Sequence, residues 1–215
     1  MALVLHGYFR SSTSLRVRAA LNYKGLAYDQ VAHHLRKGEQ RSQDYLAINP
    51  QGLVPALVTE DGAVISQSPA ILEWLEEARP EPPLLPSDPA GRARVRSLCA
   101  MIGCEIHPLN NLRVLNHIRS EFGADDEGVA KWFRHWVGET FVPLETRLAS
   151  EPATGRFCHG DTPTLADIYL YAQFINNGRF GVDHAPFPTI RRIFEACDAS
   201  EAFRDARPEN QPDAE

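Results

Sequence analysis

Residues 8–18 of the chain read YFRSSTSLRVR, and residues 11–14 within them are four hydroxyl side chains in a row. The apolar residues 3–5 before them predict a short buried strand that ends at Gly7. Residues 14–24 after them carry apolar side chains at helical spacing. The hydroxyl row therefore lies where a strand ends and a helix begins, which favours helix capping. The same position also favours an anion, because free N–H groups and the helix dipole point towards it. Both interpretations remain open on these residues alone.

The rest of residues 1–80 predicts a small α/β layer. Residues 28–32 are a second strand candidate, and residues 56–58 and 63–65 flank an Asp-Gly turn that is typical of a β-hairpin. Ser68-Pro69 predicts an N-cap followed by the first position of another helix. The predicted order is strand, helix, strand, loop, hairpin and helix.

Five prolines crowd residues 80–89. Proline fits neither a helix interior nor a central strand, so the stretch predicts a break in regular structure. We therefore expect a first domain over residues 1–80 and a proline-rich interdomain linker over residues 81–90.

Beyond the linker, strand signals end. Residues 129–148 carry apolar side chains at helical spacing, and residues 164–167 form a capping box that predicts the start of another helix. Residues 91–215 are thus expected to form an all-helical domain. The polar, proline-containing residues 206–215 are expected to fray.

Composition and charge exclude several classes of protein. The chain has 215 residues, of which 43% are hydrophobic and 23% charged, which is typical of a globular protein. Its formal net charge of −6 provides no polycationic surface, so nucleic acid is not an expected partner. Arg16 and Arg18 are expected to form ion pairs around the first helix.

The spacing of the cysteines and histidines tests for a metal site, and targeting signals test for the cellular compartment. The four cysteines and the histidines lack the spacing of metal ligands, so no metal is expected. We find neither a signal-peptide pattern nor an apolar run long enough to span a bilayer, so no membrane partner is expected. The expected location is a reducing cytoplasm.

Two further motifs accompany the hydroxyl row. Val54-Pro55 precedes the predicted hairpin and Gln67-Ser68 follows it, and each alone could be a strand boundary or a polar cap. Together with residues 11–18 they resemble the zeta class of the glutathione transferase family. Zeta enzymes carry a serine-serine-cysteine-serine-x-arginine-valine-arginine signature, which here has Thr13 in place of the cysteine. Other matches extend the resemblance over nearly the whole chain: Asn49-Pro50, Leu84-Leu85-Pro86, Thr164-Leu165-Ala166-Asp167 and Asn177-Gly178-Arg179-Phe180.

The resemblance implies a fold of the α/β plus all-α class, in which a thioredoxin-like N-terminal domain is followed by an all-helical C-terminal domain. It also implies a homodimer and glutathione as the cofactor, lying along the N-terminal domain. Val54 would bond the cysteinyl backbone of glutathione beside the family's cis-proline, Pro55. Gln67 and Ser68 would hold its γ-glutamyl end. The other implied glutathione contacts are Gln40 in the first domain and His107 and Asn111 in the helical domain.

The best-known zeta members are cis–trans isomerases of maleylacetoacetate or maleylpyruvate. Glutathione thiolate adds to the double bond, the resulting single bond rotates, and elimination returns the thiol. The resemblance therefore implies a glutathione-dependent isomerase of aromatic-compound catabolism. Ser11 is the first expected thiolate contact, with Ser12 and Thr13 beside it. Thr13 cannot act as a thiol, although its hydroxyl can donate a hydrogen bond.

The implied substrates are dicarboxylates, and three arginines lie near the family's site motifs: Arg10, Arg113 and Arg179. A guanidinium group matches a carboxylate through two hydrogen bonds, so these are the expected substrate contacts. Within the family, bacterial maleylpyruvate isomerases carry arginine at the Arg113 position and threonine at the Thr13 position. This favours maleylpyruvate, but the preference between the two acids stays open, as do dimer cooperativity and any side transferase activity.

Two alternative functions also remain open. A glutathione transferase that conjugates or dehalogenates small electrophilic acids would use the same thiolate with an apolar acceptor pocket, and three arginines argue against such a pocket. A non-catalytic glutathione-transferase-like binding protein would use the fold as an interaction module and would have no need of the hydroxyl row.

Overall fold

The computed structural model describes residues 2–215, which divide into two compact units. Unit 1 contains the described residues up to Leu84 together with Asp198–Glu215, and unit 2 contains Leu85–Cys197. The boundary after Leu84 falls within the predicted linker. The C-terminal segment, defined here as Asp198–Glu215, differs from the expectation, because it packs with unit 1 and not with the helical domain.

Four strands and nine α-helices form the regular structure of the described residues. In chain order they are β1 (Leu3–Gly7), α1 (Ser12–Tyr23), β2 (Tyr28–Ala32), α2 (Gln43–Ile48), β3 (Ala56–Val58), β4 (Val64–Ser66), α3 (Ser68–Ala78), α4 (Pro89–Glu105), α5 (Leu112–Phe122), α6 (Asp126–Ser150), α7 (Leu165–Gly178), α8 (Pro188–Asp198) and α9 (Glu201–Arg204).

Unit 1 is built on a mixed sheet in the order β2-β1-β3-β4. Strands β1 and β2 are parallel and are joined by α1, whereas β3 is antiparallel to both β1 and β4. Leu5 and Leu57 lie opposite each other on β1 and β3, and both are buried. The βαβ unit followed by a hairpin and α3 confirms the predicted thioredoxin-like arrangement.

Helix α1 lies at the centre of unit 1 and packs against α3 and α9. Its predicted apolar face is fully buried and comprises Val17, Ala20 and Leu21. Lys24 follows the helix, and its buried ammonium donates to Glu76 Oε2 at 3.1 Å and to the carbonyls of Arg79 and Pro82. This buried pair joins the end of α1 to the end of α3. A buried charge is tolerated here because it is fully hydrogen-bonded.

The start of α3 differs from the prediction by one residue. Gln67, and not Ser68, is the N-cap, and its φ of 72° lies in the left-handed region. Ser68 is therefore the first helical residue and Pro69 the second. Proline is tolerated there because the first N–H groups of a helix have no intrahelical acceptor.

The expectation of ion pairs around α1 is wrong for Arg18. Its buried guanidinium donates to main-chain carbonyls, namely those of Tyr8, Phe9 and Ala206. Burial lowers the pKa of Arg18 to about 10, which still leaves the group charged at neutral pH. The Ala206 carbonyl belongs to the C-terminal segment, so this hydrogen bond is one of the contacts that join the segment to the rest of unit 1.

The C-terminal segment does not fray as expected. Its residues include a 3₁₀ turn at Pro208–Asn210, and Gln211 is buried. The Gln211 amide donates to the carbonyls of Asp205 and Arg207 and accepts a hydrogen bond from Gln30 at 3.2 Å. Polar composition predicted fraying, but these polar side chains are used in hydrogen bonds within unit 1.

Unit 2 carries helices α4 to α8, and its packing confirms the predicted all-helical domain. Helix α4 packs against both α6 and α7, with Ile102, Phe133 and Ile168 almost completely buried. The capping box at the start of α7 is confirmed, since Asp167 accepts from the Thr164 N–H at 2.7 Å. Within residues 2–215, none of the helices combines the length and the apolar character that a bilayer crossing requires.

Candidate active site

The hydroxyl row lies at the N-terminus of α1. Ser11 is the N-cap, in an extended conformation, and its Oγ accepts a hydrogen bond from the Ser14 N–H at 3.2 Å. The capping interpretation is thus confirmed. The first N–H groups of α1 have no acceptor within the helix, so the anion-binding interpretation fits the same geometry.

A chain of hydrogen bonds connects the hydroxyl row to the loop before β3. Thr13 Oγ1 donates to the Val54 carbonyl at 3.2 Å, and Ser11 Oγ lies 2.9 Å from Thr13 Oγ1. A hydroxyl has only one proton, and the Val54 carbonyl can only accept. Thr13 has therefore used its proton, and Ser11 must donate to Thr13. Of these two hydroxyls, Ser11 is the one whose proton can turn towards an incoming anion.

Two side chains hold the loop that carries Val54 through hydrogen bonds to one main-chain carbonyl. Tyr45 Oη donates to the Leu53 carbonyl at 2.6 Å, and Asn49 Nδ2 donates to the same carbonyl at 2.7 Å. The Val54–Pro55 peptide bond is cis. Sequence reasoning missed Tyr45, because a single aromatic residue outside any motif gives no signal of a hydrogen bond eight residues away.

Two buried polar atoms near the start of α3 and in the loop after β2 have no hydrogen-bond partner among residues 2–215. They are Ser68 Oγ and Gln40 Oε1. The main-chain carbonyl of Gln40, a different atom, lies against Gly52, where an added Cβ would come within 2.9 Å of it. A buried polar group without a partner is costly, so both atoms are suited to a polar ligand. A serine hydroxyl suits a carboxylate, and an amide oxygen suits an N–H donor.

Gln67 is placed differently from Ser68. Its Nε2 donates to Gln51 Oε1 at 2.7 Å, so the side chain is already held in position. Gln51 is a second residue that sequence reasoning missed. It follows Asn49-Pro50, which was singled out only as a family match.

A pair of imidazoles lies beside Tyr45. His6 Nδ1 and His33 Nε2 are 2.9 Å apart, and the His33 ring packs on the Tyr45 ring with centroids 4.1 Å apart. Burial lowers the pKa of both histidines, and for His6 the neighbouring His33 lowers it further. No group of three or more histidine, cysteine or acidic residues within residues 2–215 is arranged to hold a metal ion.

This pair predicts a loss of stability in mild acid. About one pH unit above the ordinary histidine pKa of about 6.5, both imidazoles are mostly neutral in the folded and the unfolded chain. As pH falls below that value, the unfolded chain takes up protons before the folded one, so the free energy of unfolding falls. We expect urea unfolding to show this fall between about pH 7.5 and about pH 5.5. His33→Gln should reduce the slope with pH, and an unchanged slope would contradict the assignment.

In unit 2, three predicted residues lie in the turn between α4 and α5 or on the first turn of α5. Asn111 is the N-cap of α5, and its Oδ1 accepts from the Arg113 N–H at 3.2 Å. The Asn111 oxygen thus has a structural role, which leaves its amide N–H groups for a ligand. The His107 N–H donates to the Ile102 carbonyl at the end of α4. Arg113 is exposed on the first turn of α5.

Helix α6 holds this turn and the turn after α7. Trp132 Nε1 donates to the Leu109 carbonyl at 3.0 Å, and Asn110 Nδ2 donates to the Phe133 carbonyl at 3.2 Å. The Phe133 ring stacks on Phe180 at 3.8 Å, and Arg134 donates to the Phe180 carbonyl at 3.1 Å. Three consecutive residues of α6 therefore bring both predicted turns of unit 2 into one neighbourhood.

The three predicted arginines fall in both units. Arg10, in unit 1, directly precedes Ser11 and lies over the Phe9 ring, 4.9 Å from its centroid. Arg179, in unit 2, is exposed at the end of α7 and donates to Asn176 Oδ1 at 3.2 Å. It lies beside Phe180, so α6 positions the segment that carries it.

The fold and the site motifs define the class of protein. Residues 10–78 match the family model for the glutathione S-transferase N-terminal domain. This range contains the hydroxyl row, the Val54 loop and the start of α3. The structure therefore has the glutathione transferase fold.

Known proteins resemble the chain over nearly its full length. It is 50% identical to maleylpyruvate isomerase of a Ralstonia species over 98% of this chain and 99% of that protein. A solved structure described as the holo form of a maleylpyruvate isomerase, a bacterial zeta-class glutathione transferase, matches with a TM-score of 0.96 and 48% identity, covering 99% of this chain and all of that one. Maleylacetoacetate isomerase of Methylobacterium extorquens, solved with malonate and glutathione bound, matches with a TM-score of 0.95 and 44% identity over 99% of both chains. The chain belongs to the zeta class of the glutathione transferase family.

Proposed function

We propose that this chain is a glutathione-dependent cis–trans isomerase that converts maleylpyruvate or maleylacetoacetate to the fumaryl isomer. The observation that carries the proposal is the hydrogen-bonded series Ser11, Thr13 and Val54 at the N-terminus of α1. It supplies a redirectable hydroxyl donor at the positive end of a helix dipole. The full-length relatives named as these two isomerases support the choice of reaction.

The residues of unit 1 fit glutathione as the cofactor. Ser68 Oγ and Gln40 Oε1 are buried and have no hydrogen-bond partner within residues 2–215. The Ser68 hydroxyl can donate to the charged γ-glutamyl end, and the Gln40 oxygen can accept from an N–H group. Gln67 would hold the same end, and Val54, beside Pro55, would bond the cysteinyl backbone. When bound, glutathione supplies the thiolate that adds reversibly to the substrate double bond and so permits rotation.

Ser11 stabilises negative charge on sulfur in this mechanism. The Ser11 O–H would turn from Thr13 Oγ1 to donate to the sulfur, while the Thr13 O–H continues to donate to the Val54 carbonyl. The N–H groups of Ser12 and Thr13 add the positive end of the α1 dipole, which lowers the pKa of a nearby thiol. Thr13 is thus a support for Ser11, and the family cysteine is not needed as a thiol.

We assign the substrate carboxylates to Arg10, Arg113 and Arg179, and further glutathione contacts to His107 and Asn111. The guanidinium groups of Arg113 and Arg179 are exposed, and a guanidinium can form two parallel hydrogen bonds to a carboxylate. The malonate in the Methylobacterium relative shows that a dicarboxylate binds that protein. Arg113 also favours maleylpyruvate as the preferred acid here.

The cellular setting is part of the proposal. The four cysteines form no disulfide within residues 2–215, which fits a reducing cytoplasm. By family resemblance we also propose a homodimer, with residues 1–80 as the glutathione-binding domain and the helical domain contributing substrate contacts.

An absorbance assay with each maleyl acid, with and without glutathione, tests the function. We expect turnover that requires glutathione without consuming it, and a higher kcat/KM for maleylpyruvate. Consumption of glutathione with a chlorinated acid, and no isomerisation, would overturn the proposal in favour of a conjugating transferase. No reaction with any of these substrates would point to a binding protein.

A further inference from the structure

We infer that Asp213, in the C-terminal segment, is a positioning residue for the turn that carries Arg10 and Ser11. The inference rests on the proposed function, because it assigns the turn to thiolate and substrate binding. It goes beyond that function by giving the C-terminal segment a role in the chemistry.

The direct evidence is a hydrogen bond between distant parts of unit 1. The Phe9 N–H donates to Asp213 Oδ2 at 3.0 Å, across 204 residues of sequence. Phe9 is only 3% exposed. A charged acceptor makes a stronger hydrogen bond than a neutral one, so the carboxylate fixes the Phe9 main chain.

Arg18 holds the other side of the same turn. Its Nη2 donates to the Phe9 carbonyl at 3.1 Å and to the Ala206 carbonyl at 2.9 Å, and its Nη1 donates to the Tyr8 carbonyl at 3.4 Å. The C-terminal segment therefore reaches the turn at two points, through Asp213 directly and through Ala206 by way of Arg18.

The position of the turn sets the position of the site residues. The Ser11 N–H donates to the Tyr8 carbonyl at 3.0 Å, so the turn is closed from Tyr8 to Ser11 with Arg10 inside it. Ser11 Oγ must reach both Thr13 and the sulfur, and misplacement of about 1 Å is enough to weaken a catalytic contact strongly.

The path of the segment keeps Asp213 in place. Gln211 is tied to Gln30 on β2, and Glu215 pairs with Lys37 at 3.2 Å. These contacts lie on either side of Asp213 in sequence. The carboxylate is therefore presented to Phe9 by an ordered chain and not by a free end.

The test compares Asp213→Ala, Asp213→Asn and Glu209→Ala. Asparagine keeps an oxygen that can accept from the Phe9 N–H. Glu209 is a carboxylate of the same segment that pairs with Arg207 on the surface, so it is the matched control. Two readouts do not depend on turnover: hydrogen exchange of peptides covering residues 8–11 in the free protein, and the ultraviolet absorbance of the thiolate of bound glutathione as a function of pH.

For Asp213→Ala we expect hydrogen exchange at the turn to be about tenfold faster, because one charge-assisted hydrogen bond is lost. The thiol pKa of bound glutathione should rise, and kcat/KM should fall roughly tenfold. The dissociation constant of glutathione should stay within about twofold, since Gln67 and Ser68 hold the other end. Asp213→Asn should recover most of the loss, and Glu209→Ala should match the wild type.

Unchanged hydrogen exchange and an unchanged thiol pKa in Asp213→Ala would overturn the inference. Equal damage by Glu209→Ala would also overturn it, because the effect would then belong to the segment's general stability. Failure of the proposed function is distinguishable: the wild type would lack glutathione-dependent turnover, while the hydrogen-exchange difference would still report the Phe9 contact.

Discussion

Ser11→Ala is expected to lower kcat/KM for the maleyl acid between about tenfold and about a hundredfold. The Ser11 hydroxyl is the donor that can leave Thr13 for the glutathione sulfur, whereas the Thr13 proton is used by the Val54 carbonyl. Its loss should also raise the thiol pKa of bound glutathione, so the activity should need a higher pH. The measurement is kcat/KM against pH together with the thiolate absorbance.

Two neighbouring variants serve as controls. Ser11→Thr keeps both the hydroxyl and a residue favoured at the N-cap, so it should retain most of the activity. Ser12→Ala removes an adjacent hydroxyl at the first helical position and should have a much smaller effect. A larger loss in Ser12→Ala than in Ser11→Ala would mean that Ser12 contacts the sulfur. Unfolding measurements on each variant separate the lost cap from the lost thiolate contact.

Arg113→Ala is expected to weaken turnover of maleylpyruvate by about a hundredfold while changing glutathione binding by less than about twofold. The reason is that a substrate carboxylate would lose a two-point contact, whereas no glutathione contact is assigned to this side chain. The loss should be smaller for maleylacetoacetate if Arg113 determines the preference for the shorter acid. Steady-state kinetics with both acids and calorimetric titration of glutathione make the comparison.

Arg119→Ala is the matched control for this variant. Arg119 lies on the same helix α5, and its partly exposed guanidinium pairs with Asp126 at 2.8 Å. Surface pairs contribute little to stability, so the change should leave both measurements near the wild type. Arg113→Lys should recover only part of the activity, because a lysine keeps the positive charge but lacks the planar guanidinium that forms two parallel hydrogen bonds to a carboxylate. Equal damage to turnover and to glutathione binding in Arg113→Ala would mean that Arg113 binds the cofactor.

Local sequence patterns predicted much of the fold. The hydroxyl row, the Asp-Gly turn and the capping box at Thr164 each act over a few residues, and the structure contains all three. The proline-rich stretch and the loss of strand signals after it indicated two domains, and the family resemblance added that the first is thioredoxin-like. It also assigned ligand contacts to Ser68 and Gln40, and both place a buried polar atom without a protein partner.

Contacts between distant residues could not be predicted in this way. Tyr45 and Arg18 donate hydrogen bonds to main-chain carbonyls. Every residue has a carbonyl, so the sequence does not show which carbonyl a distant side chain will reach. The polar C-terminal residues resemble a frayed end in composition. Only the three-dimensional path of the chain shows that Asp213 and Gln211 have partners near β1 and β2.

The return of the C-terminal segment to unit 1 has a consequence for synthesis of the protein. A ribosome makes the sheet of unit 1 before it makes unit 2, whereas the Ala206 carbonyl and the Asp213 carboxylate are made only after unit 2. Until then, the Arg18 guanidinium and the Phe9 N–H lack these native acceptors. Unit 1 therefore begins to emerge before unit 2 but is completed only after all of unit 2 has been translated.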